Sequence, residues 1–294
     1  MRMKYFKVFS TKKTLVLIGL LVMILSIEMP QTVQAQNKRV KNPALVNLEL
    51  DTTYKGYDVT ADGKSDVIRI SSLSFDSYYN KGLEIEINGK KVLCNKECSY
   101  VWIDASLCTL KNGEVYLYLY NPVDGGDAHY CGLYQYDKGA FKCVLDMNKF
   151  FDKWGYGQNA TIKTVSGNKL TVSVEQQYYE LGGMEVCFDY KYSKGKLVQA
   201  ANSTREFDCW AASRNNGKLT TRSNIKVYAN TNCKTKAFTL KAGEQIKIKS
   251  IYCKSGKMLL KVQRLSDGKT GYIKCIKHHP KDGRAPFAEV EYAG

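Results

Sequence analysis

The sequence predicts an all-β protein of two unequal β-domains, on three observations. The 294 residues include 21 Tyr and only 5 Pro, with Val, Ile and Thr abundant, a composition that suits pleated, half-buried surfaces better than helices. Turn pairs containing Gly or Asn recur between segments of alternating apolar and polar residues, the pattern of hairpins with one buried face. No segment sustains the apolar stripe of an amphipathic helix, and no low-complexity linker interrupts the chain.

The first element is an expected signal peptide, residues 1–35. Arg2, Lys4, Lys7, Lys12 and Lys13 precede an apolar run over 15–27. Pro30 ends that run, and Val33-Gln34-Ala35 supplies small residues for cleavage after Ala35. This order is the secretory pattern, and the run is shorter than the ~20 apolar residues of a membrane span. A secreted protein, extracellular or cell-wall associated, is expected, with no integral membrane segment after processing.

Next comes Asp58-Val59-Thr60-Ala61-Asp62-Gly63-Lys64-Ser65-Asp66, ahead of a strand over 67–70. Oxygen donors at alternate positions, a Gly for the sharp turn and a carboxylate in ninth place suit a hard cation such as Ca²⁺. An Asp-Gly surface turn without an ion is the competing reading. Five hairpins follow. Asn88-Gly89 separates 83–87 from 91–93, and Asn112-Gly113 separates 105–110 from 115–120. Lys138-Gly139 divides 133–136 from 141–144. Gly167-Asn168 divides 161–165 from 170–174, and Lys194-Gly195 divides 186–192 from 197–198. Gly and Asn tolerate the positive φ of tight turns, so residues 36–212 are expected to form one hairpin-rich domain. From 219 to 277 the short strands change character: Asn224-Ile225-Lys226-Val227-Tyr228, Leu240-Lys241-Ala242-Gly243-Glu244-Gln245-Ile246, Leu259-Leu260-Lys261-Val262 and Gly268-Lys269-Thr270-Gly271-Tyr272-Ile273.

Two resemblances sharpen this reading. The D-x-T-x-D-G-x-x-D spacing resembles the calcium loop of FG-GAP/VCBS repeats, a β-propeller family. That resemblance implies a propeller-like arrangement, and Asp58, Thr60, Asp62, Lys64 (through its carbonyl) and Asp66 as Ca²⁺ ligands. Thr60 stands where the family has Asp or Asn, and only one copy of the motif is clear. Arg69 in twelfth place rules out a helix-loop-helix site, which needs a bidentate Glu there. The L-K-x-G-E-x-I turn and the closing G-K-T-G-Y-I resemble a bacterial Src-homology-3 domain, a small β-barrel of secreted cell-wall proteins. It implies a barrel over 213–278, followed by a tail over 279–294. The resemblance does not extend to ligand residues; Tyr228 and Tyr272 are the aromatic residues expected to line a binding groove on the barrel, with a core position as the alternative for Tyr272.

Charge is distributed unevenly. Residues 36–212 hold 21 Lys/Arg and 22 Asp/Glu, whereas 213–294 hold 18 Lys/Arg and only 5 Asp/Glu. Such asymmetry points to a polyanionic partner for the last third. Outside a bacterial cell that means an anionic wall polymer, an acidic glycan or phospholipid headgroups; export makes nucleic acid an unexpected partner. A solvated lysine-rich surface is the plainer alternative.

The ten cysteines are even in number, yet several sit in apolar strand-like runs such as Val186-Cys187-Phe188. They are read as buried thiols or a few disulfides; Cys94, Cys98 and Cys108 lack the second compact pair of a zinc site. His129 and Cys131, two apart, are the one local pairing with catalytic chemistry, and a loop joining two strands accounts for them more simply. The loop Trp154-Gly155-Tyr156-Gly157-Gln158 suits either sugar stacking or packing. The expected function is therefore a secreted, non-catalytic binding protein, tethered to the cell envelope through its basic C-terminal barrel. Peptidoglycan or an anionic wall polymer is the expected partner. A secreted wall-associated hydrolase with its active site in 36–212 is the alternative.

Overall fold

The structure, a computed structural model, describes residues 43–123, 128–149, 155–178, 180–200, 206–254, 257–275 and 284–290. The expected signal peptide, residues 124–127, Trp154 and the His278-His279 pair lie outside them, as do the side chains of 155–158.

Strands dominate, as the sequence predicts. β1 (Ala44–Leu48) is followed by a four-stranded antiparallel meander of β2 (Thr53–Tyr57), β3 (Asp66–Phe75), β4 (Asn80–Ile87) and β5 (Lys90–Tyr100). A second meander comprises β6 (Asp104–Thr109), β7 (Val115–Pro122), β8 (Ala128–Asp137) and β9 (Ala140–Asp146), with β1 added at the free edge of β6. The third holds β10 (Gly155–Ser166), β11 (Lys169–Tyr178), β12 (Gly182–Ser193) and β13 (Lys196–Gln199), and β14 (Glu206–Cys209) also pairs with β12. Four expected turns close with two residues, for instance Ile87↔Lys90 around Asn88 and Gly89, whose φ values are 53° and 74°. The Asn112-Gly113 turn is longer: Thr109↔Val115 is the last paired position, so five residues make the connection. The three meanders have the up-and-down order of propeller blades, but closed propellers typically carry about four to eight.

The middle sheet is buried on both faces. Along β7, Val115, Leu117 and Leu119 enter a core with Ile68, Ile70, Leu83 and Ile85 of the first sheet. Tyr116, Tyr118 and Tyr120 enter another with Val172, Val174, Val186 and Phe188 of the third. The sequence expectation of one buried face fails here, because the alternation is Leu with Tyr. Tyr brings a large apolar body with a polar tip that needs only one partner, and Tyr118 Oη finds the Ala160 carbonyl.

After β14 a single turn of helix, α1 (Trp210–Arg214), leads to the last sheet. Ala211 and Ala212 are buried and join the third sheet's core to Leu219, Val227, Leu260 and Val262. The last sheet contains β15 (Leu219–Thr220), β16 (Ile225–Tyr228), β17 (Lys236–Leu240), β18 (Gln245–Lys254), β19 (Lys257–Arg264) and β20 (Thr270–Lys274). Its order is β15-β18-β19-β20-β16-β17. The expected barrel is thus an open six-stranded sheet: β15 and β17 stand at opposite edges and do not pair. β15 is only two residues long, too short to close the ring, and its bonding capacity goes instead to the chain end. Thr221 bridges Phe287, which is buried, and the Glu289 carboxylate accepts the Thr220 N–H at 2.8 Å. Residues 284–290 of the expected tail are therefore docked.

Candidate functional site

The outer face of the last sheet is built by strand alternation. On β16, Val227 points into the core while Lys226 and Tyr228 point out; on β20, Ile273 points in while Tyr272 and Lys274 point out. Register then sets these side chains side by side. Tyr228 is opposite Lys236 on β17, across a bulge that separates this pair from Val227↔Phe238, and opposite Tyr272 on β20; Tyr272 is opposite Lys261 on β19. The result is a Lys236–Tyr228–Tyr272–Lys261 ladder across four strands. Lys226 and Lys274 extend over the Tyr228 ring, with Nζ 5.6 and 5.2 Å from its centroid, within cation–π range.

β20 approaches β16 this closely because Gly271 has no side chain. A Cβ there would lie 2.5 Å from Val227 Cγ1 and 2.7 Å from the Tyr228 carbonyl oxygen. The glycine of the G-Y-I motif is what lets the two tyrosines become direct neighbours.

The described carboxylates of this sheet are engaged elsewhere. Asp267 and Glu244 both hold Arg264, which lies 4.6 Å over the Phe238 ring. Arg264 keeps the Asp267 carboxyl well below the usual carboxylate range. Glu289 caps Thr220 and Asn215. Lys226, Lys236, Lys261 and Lys274 have no ion pair among the described residues, so their charge faces outward, unneutralised. Tyr228 and Tyr272 were legible in the sequence, but their lysine neighbours were not. The Lys-x-Tyr and Tyr-x-Lys spacings of 226–228 and 272–274 were the available signal, since residues two apart on a strand share a face.

The Asp58–Asp66 loop is held by hydrogen bonds to its own carboxylates. Asp66 is 1% exposed. Its carboxylate accepts the Thr60 N–H at 2.8 Å, the Thr60 hydroxyl at 3.1 Å and Asn88 Nδ2 at 2.7 Å. Asn88 in turn accepts the Val67 N–H at 2.9 Å. Asp58 accepts the Gly63 N–H at 3.1 Å, and Asp62 closes a local turn on the Lys64 N–H at 2.7 Å. Among the described residues no group of three His, Cys, Asp or Glu side chains comes together as a metal site. The loop is held by these hydrogen bonds and is stitched to the β4–β5 hairpin through Asn88.

His129 and Cys131 are not brought together for catalysis. His129 Nε2 accepts the Ser99 N–H at 3.4 Å, on the first sheet. Cys131 lies in the core on the opposite side, and burial pushes its thiol up to about 12. Of the cysteines whose side chains are described, Cys94 and Cys143 are exposed, and Cys98, Cys108, Cys131, Cys187, Cys209, Cys233 and Cys275 are buried. Cys187 sits among Lys163, Glu185 and Glu206 on the outer face of the third sheet, and burial raises its pKa also. The raised pKa values of Cys131 and Cys187 keep these two thiols protonated near neutral pH, and a protonated thiol is not a nucleophile.

Among the described residues no helix is long and apolar enough to cross a membrane. No protein-family model matches the chain, and neither a curated protein nor a solved structure matches it, so function is read from the site chemistry alone.

Proposed function

We propose that this is a secreted, non-catalytic binding protein that attaches noncovalently to the bacterial cell envelope by laying the lysine–tyrosine face of its last sheet against an anionic wall polymer. The observation that carries the reading is the Lys236–Tyr228–Tyr272–Lys261 ladder with Lys226 and Lys274 beside it, a row of unneutralised cations interleaved with half-buried aromatic rings. A polymer that alternates phosphodiesters with alditol or sugar units offers a charge for each lysine and an apolar face for each tyrosine. The leader-like N-terminus and the resemblance of residues 213–278 to a wall-targeting family support the same assignment.

The test uses the whole chain, because the last sheet shares its core with the third. It is sedimented with purified cell walls, with and without their teichoic acid, at about 0.1 M and 1 M salt, where screening lengths are ~10 Å and ~3 Å. Expected is binding that needs the teichoic acid, fails at high salt and weakens in a variant combining Lys226→Ala, Lys236→Ala, Lys261→Ala and Lys274→Ala. Binding that survives both teichoic acid removal and high salt refutes it.

A further inference from the structure

A cleft of about 620 Å³ opens where β1, the β5–β6 connection and β10 converge, remote in chemistry from the lysine face. Its size is in the range of about 300–1,000 Å³ typical of small-ligand sites. The Trp102 side chain stands at it half exposed, at 50%. The residue before Trp102 is held at both its backbone groups: the Val101 N–H donates to the Pro122 carbonyl at 3.0 Å, and the Val101 carbonyl accepts from Asn80 Nδ2 at 3.4 Å. The ring is thus presented on a fixed segment rather than a free loop.

The polar groups of the cleft are arranged to be used. The buried Ser106 hydroxyl donates to Asn47 Oδ1 at 3.0 Å. That contact sets the amide orientation and leaves Asn47 Nδ2 as a donor to the cleft. Asp104 and Glu49 bring two exposed carboxylates, neither in an ion pair among the described residues, and the lining contains no Lys or Arg. Leu45, Ile103 and Ile162 supply an apolar floor.

From this combination we infer that the cleft binds a neutral glycan. A carboxylate-lined cleft without cations repels anions, so the polymer proposed for the lysine face does not fit here. A pyranose has an apolar C–H face to lie on the Trp102 ring and a rim of hydroxyls. Those hydroxyls donate to Asp104 and Glu49 and accept from Asn47 Nδ2. The molecule then carries two unlike sites: a cationic face for an anionic polymer and an anionic-rimmed aromatic cleft for uncharged sugar. The cleft assignment does not depend on the lysine face.

A printed array of neutral oligosaccharides, followed by tryptophan-fluorescence titration with the best binder, tests this on the whole chain. Expected is saturable binding that persists at 1 M salt and in the four-lysine variant. Trp102→Ala and Asp104→Asn should each weaken it about tenfold or more, as truncation of a central aromatic or loss of a charged acceptor does. Trp102→Phe should retain part of it. Because Trp102 and Asp104 are exposed, an unchanged urea midpoint should accompany each loss. Absence of any bound neutral glycan, equal binding by Trp102→Ala, or saturable binding of extended peptides only, along the edge of β1, overturns the inference.

Discussion

Replacing Asp66 with Ala separates a structural turn from a calcium site. In the folded chain the Asp66 carboxylate accepts the Thr60 N–H, the Thr60 hydroxyl and Asn88 Nδ2, at 2.8, 3.1 and 2.7 Å, while 1% exposed. Hydrogen bonds to a charged group contribute about 1.5–3 kcal/mol each. The Thr60 hydroxyl is rotatable and only partly buried, so water replaces its partner. The Thr60 N–H and the Asn88 amide cannot turn away so easily, and two such losses come to about 3–6 kcal/mol. Asp66→Asn keeps one acceptor oxygen and should cost less, about 1–3 kcal/mol. Urea unfolding of the two variants and the parent, with and without millimolar Ca²⁺, measures both quantities. A purely structural turn predicts the order parent, Asn, Ala in midpoint, and no calcium dependence. A bound ion at 100 times its Kd would instead add about 2.7 kcal/mol to the parent. An Asp66→Ala cost below about 1 kcal/mol, or a calcium-dependent rise that Asp62→Ala abolishes, refutes the reasoning.

Two further outcomes follow from the packing. Gly271→Ala should lower stability by about 1–3 kcal/mol, the usual cost of overpacking, because its Cβ would meet Val227 and the Tyr228 carbonyl at 2.5 and 2.7 Å; it should also weaken wall binding by parting Tyr228 from Tyr272, and a variant with parental melting temperature and wall affinity contradicts that geometry. Pulse alkylation of the native chain at pH 8, read by mass spectrometry, should label Cys94 and Cys143 first and leave Cys108 and Cys131 unmodified until urea unfolds the protein. Both protected thiols are buried, and burial pushes each up to about 12; early labelling of either would show that the middle sheet opens locally.

Hairpins were legible in the sequence because a two-residue turn is a local event. Asn88-Gly89 and Lys138-Gly139 adopt positive φ whatever lies beyond them, and the strands on either side inherit their register from the turn. Tyr228 and Tyr272 were legible only as aromatic residues of the last strands; their outward orientation, side by side, comes from the register of β16 with β20. Everything that depends on what a strand meets across space was not. That β7 is buried twice follows from two other sheets covering it. The Asp58–Asp66 carboxylates have the spacing of a cation loop, yet Asn88, 22 residues beyond Asp66, supplies the amide that occupies Asp66. Trp102 carries no local signal of a site; β1 and β10, distant in sequence, make the cleft beside it. Alternation and turn chemistry act over a few residues and survive in one dimension. Partner choice for a carboxylate, a ring or a lysine is a competition among groups distant in sequence, and only the tertiary structure decides it.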